Sequence, residues 1–220
     1  MKAFFTAVLF LWKISLFAQT VTSFVPARID TAGTYMFYLH GGIVQEQGVN
    51  AVSKDFGPYE YLKIIDTLKS HGYNIISEAR PKGTDETRYA EKVSKQIDSL
   101  LQKGLPPQRI VVVGASQGAY ITIETAHMIK NNKVNYVLMG FCNEYNLNYY
   151  KKFNSELCGN FLSIYESSDN KGSCNELFNK SACQIKYNEI RLTMGNRHGF
   201  IYKPYKEWVY AIVAWIKSNK

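Results

Sequence analysis

Hydrophobic positions along the chain fall into short blocks of two kinds. Tyr35 to Leu39, Tyr73 to Ser77, Arg109 to Gly114, Val134 to Phe141, Phe161 to Tyr165 and Glu189 to Met194 are compact apolar runs that predict buried strands. Between them, apolar residues recur at helical spacing. Pro58 to Ser70 carries Tyr61, Ile64, Ile65 and Leu68, with Pro58 to open it and Gly72 to close it. Thr84 to Lys103 carries Tyr89, Val93, Ile97 and Leu100; Thr84 and Thr87 offer caps, and Gly104, Pro106 and Pro107 stop it. Gln117 to Lys130 is apolar on most sides, as a buried central helix requires. Tyr145 to Phe153 and Cys174 to Ser181 predict shorter helices, and Tyr205 to Ser218 an amphipathic one carrying Trp208, Ile212 and Trp215. Strand and helix alternate, which means a mostly parallel sheet with helices on both faces. No linker interrupts the pattern, so the chain reads as one α/β domain.

The N-terminus stands outside this pattern. Met1-Lys2 is a short basic start, Ala3 to Trp12 is an apolar run, and Ile14 to Ala18 ends in small residues only in part. This predicts a secretory signal peptide over residues 1–18, cut after Ala18, and a domain over residues 19–220. Lys13 interrupts the apolar stretch and argues against a membrane span, which needs about 20 apolar residues. The expected location is secreted or periplasmic, with no stable membrane insertion after cleavage.

Composition changes this picture little. Of the 220 residues, 46% are hydrophobic and 20% charged, the balance of a globular protein. The net charge is +8, and it falls by two, to +6, when Lys2 and Lys13 leave with the leader. The basic residues are scattered and form no run of five, so they read as solvated surface and not as a nucleic-acid footprint. Cys142, Cys158, Cys174 and Cys183 form no C-x-x-C pair and match no zinc spacing. An even count behind an export signal predicts two disulfides.

Candidate chemistry begins at Gly114-Ala115-Ser116-Gln117-Gly118, a G-x-S-x-G sequence between a strand and a helix. That is the setting of a nucleophile elbow, in which small flanking residues permit a turn that lifts the serine out of the sheet. The bland alternative is an ordinary turn with a capping serine. A serine nucleophile needs a base, and the base an orienting acid. Among the four histidines, His71 sits at a helix end, His127 inside the helix after Ser116, and His40 at the end of an early strand. His198, in Gly195-Asn-Arg-His-Gly199 just past the last strand, is the expected base. The acid belongs in the loop after the preceding strand, where Asp169 is the first choice and Glu166 the alternative. His40-Gly41-Gly42 supplies a glycine turn that lets backbone amides approach a tetrahedral intermediate, with Gly42 and Gln117 as the two donors. Glu78 and Arg80, in the charged loop over residues 78–85, are either substrate contacts or an internal ion pair.

On these residues (His40 to Gly42, Gly114 to Gly118, Asp169 and His198) the chain resembles the α/β-hydrolase superfamily over essentially all of residues 20 to 220. The resemblance implies activity on esters, thioesters, amides or related carbonyls, with no cofactor. Only about 15 residues separate the cleavage point from Tyr35, so the first strands of the family's usual eight are short or missing. Only about 20 residues lie between Phe141 and Phe161, too few for the large cap of lipases. An uncapped site favours accessible esters, on a polymer or a glycan, over long lipid chains. The function expected is a secreted serine esterase. The alternatives are a peptidase or acyltransferase with the same triad, or a non-catalytic binding protein on the same fold.

Topology also predicts the cysteine pairing. Cys142 and Cys174 follow strands and belong at the edge where the site gathers, whereas Cys158 and Cys183 precede strands and belong at the other edge. Cys174 and Cys183 lie near opposite ends of one helix, roughly 13 Å apart, beyond the reach of about 7 Å that a bridge allows. The expected bridges are Cys142–Cys174 and Cys158–Cys183.

Overall fold

The computed structural model describes residues 19–178, 183 and 186–219. The expected signal peptide lies outside them. In chain order the strands are β1 (Val21–Thr22), β2 (Thr34–Leu39), β3 (Val52–Ser53), β4 (Gly57–Pro58), β5 (Tyr73–Ile76), β6 (Ile110–Ala115), β7 (Asn135–Met139), β8 (Asn160–Glu166) and β9 (Lys186–Leu192). The α-helices are α1 (Gly42–Gln47), α2 (Tyr61–Ser70), α3 (Glu86–Gln102), α4 (Gln117–Ile129), α5 (Glu144–Tyr150), α6 (Asn175–Phe178) and α7 (Lys206–Ser218).

Seven strands form one parallel sheet in the order β1-β5-β2-β6-β7-β8-β9. Both faces are covered, so the central strands are apolar throughout instead of alternating with polar residues. Strand β6 shows the division. Val111 and Val113 join Met36, Leu162, Ile64 of α2 and Trp208 of α7 on one face. Ile110 and Val112 join Phe37, Tyr136, Val93 of α3 and Ile121 of α4 on the other. The first strand has two residues, in line with the short start read from the sequence.

Element boundaries depart from expectation where local chemistry overrides periodicity. Helix α2 starts at Tyr61, not Pro58, because Gly57-Pro58 pairs antiparallel with Val52-Ser53 in a small hairpin. Helix α3 is capped by Asp85, whose side chain accepts the Arg88 amide at 2.8 Å, and not by Thr84 or Thr87. Thr84 instead bonds back to the Pro81 carbonyl. Past Tyr150, α5 tightens into a 3-10 segment, Lys151–Glu156. The helix expected from Cys174 runs over Asn175–Phe178 in the described residues.

The segment between β7 and β8 holds only α5 and the 3-10 turn, with no large cap. Cys142 and Cys174 are bridged with Cα atoms 5.3 Å apart, and Cys158 and Cys183 likewise at 5.3 Å. No helix among the described residues is long and apolar enough to cross a membrane.

Candidate active site

Strand β6 ends at Ala115, and the chain turns sharply through Ser116 into α4. Ser116 has φ 52° and ψ −113°, a conformation that L-residues with side chains rarely adopt and that costs about 1–3 kcal/mol. It is held there by its own amide, which donates to the Met139 carbonyl at 2.8 Å. The two flanking glycines are needed for packing. A Cβ on Gly114 would sit 2.3 Å from the Gly118 carbonyl oxygen, and one on Gly118 1.9 Å from that of Leu39. The spacing G-x-S-x-G thus records two places where backbones touch.

Above the turn, the Ser116 hydroxyl donates to His198 Nε2 at 2.9 Å. His198 Nδ1–H donates in turn to Asp169 Oδ2 at 2.6 Å. The Asp169 side chain is 3% exposed and the His198 imidazole 22%, so the carboxylate is buried and the ring meets solvent. His198 rides on a 3-10 turn, Arg197–Ile201, after β9. Its ring packs over Gly140, where a Cβ would come within 3.0 Å of the imidazole. The three residues come from the ends of β6, β8 and β9, at the edge where a parallel sheet gathers its loops.

Glu166 lies one turn of chain before Asp169 and does a different job. It is fully buried, and its carboxylate accepts the amides of Met194 at 2.8 Å, Ser168 at 3.3 Å and Gly195 at 3.4 Å. Ser168 completes the link, its hydroxyl accepting the Arg197 amide at 3.0 Å. These bonds tie the loop carrying Asp169 to the loop carrying His198. Burial pushes the Glu166 carboxyl up, but the amide donors and the Ser167 hydroxyl outweigh it and hold it below its ordinary 4.5.

The amides of Gly42 and Gln117 are the first of α1 and α4, and neither donates to a protein acceptor among the described residues. Gly42 lies against the Gln117 side chain: a Cβ there would be 3.1 Å from Gln117 Oε1. The loop before Gly42 is fastened by His40, which donates from Nδ1 to the Gly41 carbonyl and accepts the Arg80 amide at Nε2, both at 2.9 Å. Burial, with the neighbouring Arg80 charge, lowers the His40 pKa to about 3, so the ring is neutral.

Arg80 lies beneath the glycine turn. It is 2% exposed, and its guanidinium donates to the His40 carbonyl at 2.6 Å and Gln45 Oε1 at 3.1 Å. It forms no ion pair with Glu78, which instead takes Lys92 and the Tyr89 hydroxyl. Neither reading of this loop anticipated the arginine as the support of the glycine turn. Its sequence signal was present, a single arginine just past a buried strand, but burial is invisible from spacing. The remaining histidines lie elsewhere: His71 packs edge-on to Tyr210, and His127 lies near Glu156.

Two open clefts accompany these residues. One, of about 390 Å³, runs beside His198 and Asp169 and is lined by Asp55, Phe56, Lys171 and Arg197. Phe56 belongs to the β3–β4 hairpin, which hydrophobic periodicity did not reveal. The other, of about 290 Å³, lies between α3, α4 and α5. Among the described residues, no group of three or more His, Cys, Asp or Glu side chains is placed to hold a metal ion.

Comparison with known proteins agrees with this architecture. The profile of the phospholipase/carboxylesterase family matches residues 73–143, which span β5 to β7 and include Ser116 but not Asp169 or His198. An esterase of Pyrococcus furiosus superposes with a TM-score of 0.60 at 14% identity, covering 86% of this chain and 83% of that one. A monoacylglycerol lipase of Paleococcus ferrophilus gives 0.55 at 15% identity, covering 86% and 97%. An esterase of a Rhodococcus species gives 0.54 at 12%, covering 87% and 93%. At these identities the likeness is one of fold. No curated protein sequence matches the chain.

Proposed function

We propose, from the chain's membership of the α/β-hydrolase superfamily, that it is a secreted serine esterase acting through an acyl-enzyme. The family match supports ester hydrolysis in general. The observation that carries the finer reading is the relay from Ser116 through His198 to Asp169, at 2.9 Å and 2.6 Å. In this mechanism His198 Nε2 takes the Ser116 proton as Oγ attacks the ester carbonyl. The Gly42 and Gln117 amides hold the resulting oxyanion. Asp169 keeps the proton on Nδ1 and stabilises the imidazolium. The C–O bond to the alcohol then breaks, and the alcohol leaves with the proton from His198. Water, deprotonated by the same imidazole, attacks the acyl-serine and releases the acid.

The open clefts and the missing cap support accessible esters, on a polymer or a glycan, as substrates. Two bridged cysteine pairs and the expected leader over residues 1–18 support export. N-terminal sequencing of exported protein should begin at Gln19. A fluorophosphonate probe should label wild type and spare Ser116→Ala; failure to label would return the chain to the non-catalytic alternative. A panel of p-nitrophenyl esters and peptides separates esterase from peptidase, since the same relay serves both.

A further inference from the structure

The cleft between α3, α4 and α5 has a composition that the hydrolytic step does not use. Four tyrosines line it, Tyr120, Tyr145, Tyr149 and Tyr150, with the carboxylates of Glu86 and Glu124 and the polar side chains of Asn146 and Thr87. Tyr145 is 73% exposed and Tyr149 45%, so aromatic rings face solvent here. Tyr149 and Tyr150 meet edge to face at 75°, which sets the walls of the cleft at an angle to each other. There is no Leu, Ile, Val or Met in the lining, and no Lys or Arg.

The cleft is bonded to the reacting centre. Gln117, whose amide is one oxyanion donor in the proposed mechanism, donates from Nε2 to Glu86 Oε1 at 2.8 Å. Tyr120 follows Ser116 by one helical turn, and its Cα–Cβ bond tilts back towards the start of α4. Its hydroxyl donates to Asn146 at 2.8 Å, tying α4 to α5.

We infer that this cleft is a subsite for a neutral sugar unit of an acylated glycan, seated beside the ester that Ser116 attacks. The inference rests on the esterase reading and names its substrate class. A pyranose ring presents a face of C–H bonds, whose partial positive charge suits the negative face of a tyrosine ring. Its hydroxyls find acceptors in the carboxylates of Glu86 and Glu124, while Asn146, buried and bonded to Tyr120 and the Phe141 carbonyl, holds the wall in place. A fatty acyl chain gains by burying against aliphatic surface, which this lining lacks. An anionic unit, a uronate or a sulfated sugar, would meet two carboxylates and no cation. A quaternary ammonium gains little over rings this exposed.

Binding and turnover test the two readings separately. Ser116→Ala is titrated calorimetrically with xylohexaose, cellohexaose and mannohexaose, alone and combined with Tyr145→Ala and Tyr149→Ala. The expected result is binding of at least one hexaose that weakens tenfold or more when the two exposed tyrosines are removed. Circular dichroism checks that the substituted protein keeps its fold. Binding of none of the three, binding indifferent to the tyrosines, or binding of choline in their place would overturn the subsite. In parallel, wild-type protein should hydrolyse p-nitrophenyl acetate and Ser116→Ala should not. Absence of that hydrolysis in wild type would overturn the esterase reading, and the titration would still decide the subsite.

Discussion

Met194 donates its amide to the buried carboxylate of Glu166 at 2.8 Å, fastening the turn after β9 to the end of β8. The two carboxyls of this loop therefore have separable roles. Asp169→Asn should lower kcat by about 10³-fold or more, because the amide sets the wrong imidazole tautomer. Glu166→Gln should leave activity within tenfold but cost about 1–3 kcal/mol in stability, since an amide NH₂ then faces backbone N–H groups. The Glu166 carboxyl is held below 4.5, so its contribution is complete above that pH and is lost as pH falls through the folded value. Urea titrations of wild type and Glu166→Gln should accordingly converge on acidification below pH 4.5. A gap that widens would contradict the assignment.

His40 gives a second acid-side signature with a different window. In the unfolded chain the imidazole takes a proton near 6.5, and in the folded one only at about 3. Stability should fall as pH drops between these values, by at most about 1.4 kcal/mol per pH unit from this group. His40→Asn should show a shallower dependence of unfolding free energy on pH between 6 and 4 than wild type.

In the proposed mechanism Arg80 acts through the glycine turn, whose His40 carbonyl it holds. Arg80→Lys keeps the charge but loses the fork that reaches the His40 carbonyl and Gln45 together. The expected kinetic pattern is a fall in kcat of tenfold or more with KM changed less than threefold. An equal effect of Arg80→Lys on KM alone would point to substrate binding instead.

The strained serine yields a stability ordering. Ser116→Ala should lose nearly all turnover and stay folded. Ser116→Gly should be just as inactive but at least as stable as the alanine variant, because relief of the φ 52° strain offsets glycine's chain entropy. Thermal melts of the two variants check the order.

Reduction probes the covalent frame. The bridges close loops of sequence separation 32 and 25, each worth about 3–4 kcal/mol in the chain-entropy account. Cys142–Cys174 lies next to the segment carrying Asp169, where Cys142 also pairs with Gly172. Cys142→Ser with Cys174→Ser should thus reduce kcat as well as melting temperature, whereas the Cys158 and Cys183 pair should affect melting temperature alone.

Much of this architecture was legible in the sequence because β6 and α4 are long, apolar and punctuated by glycine. Ser116, Asp169 and His198 could be placed together because a parallel sheet sends every strand end to one edge. What escaped notice depends on contacts between segments distant in sequence. Arg80 lies in a loop and Glu166 is the last residue of β8, and charge alone predicts exposure for both; only the folded chain shows His40, Gln45 and Met194 closing over them. The β3–β4 hairpin has two residues per strand, too short for any period to register.

The close approach of Gly118 to Leu39 has a mechanical consequence. Helix α4 begins at the serine and lies with its backbone against the end of β2, from which the glycine turn departs. The depth of Ser116 and the location of the Gly42 amide are therefore a single coordinate: neither can be adjusted without displacing the other. The centre behaves as a rigid die whose shape is cast during folding. The rims of the neighbouring clefts, α5 on one side and the β3–β4 hairpin on the other, take no part in this contact, so substitutions there leave the die undisturbed.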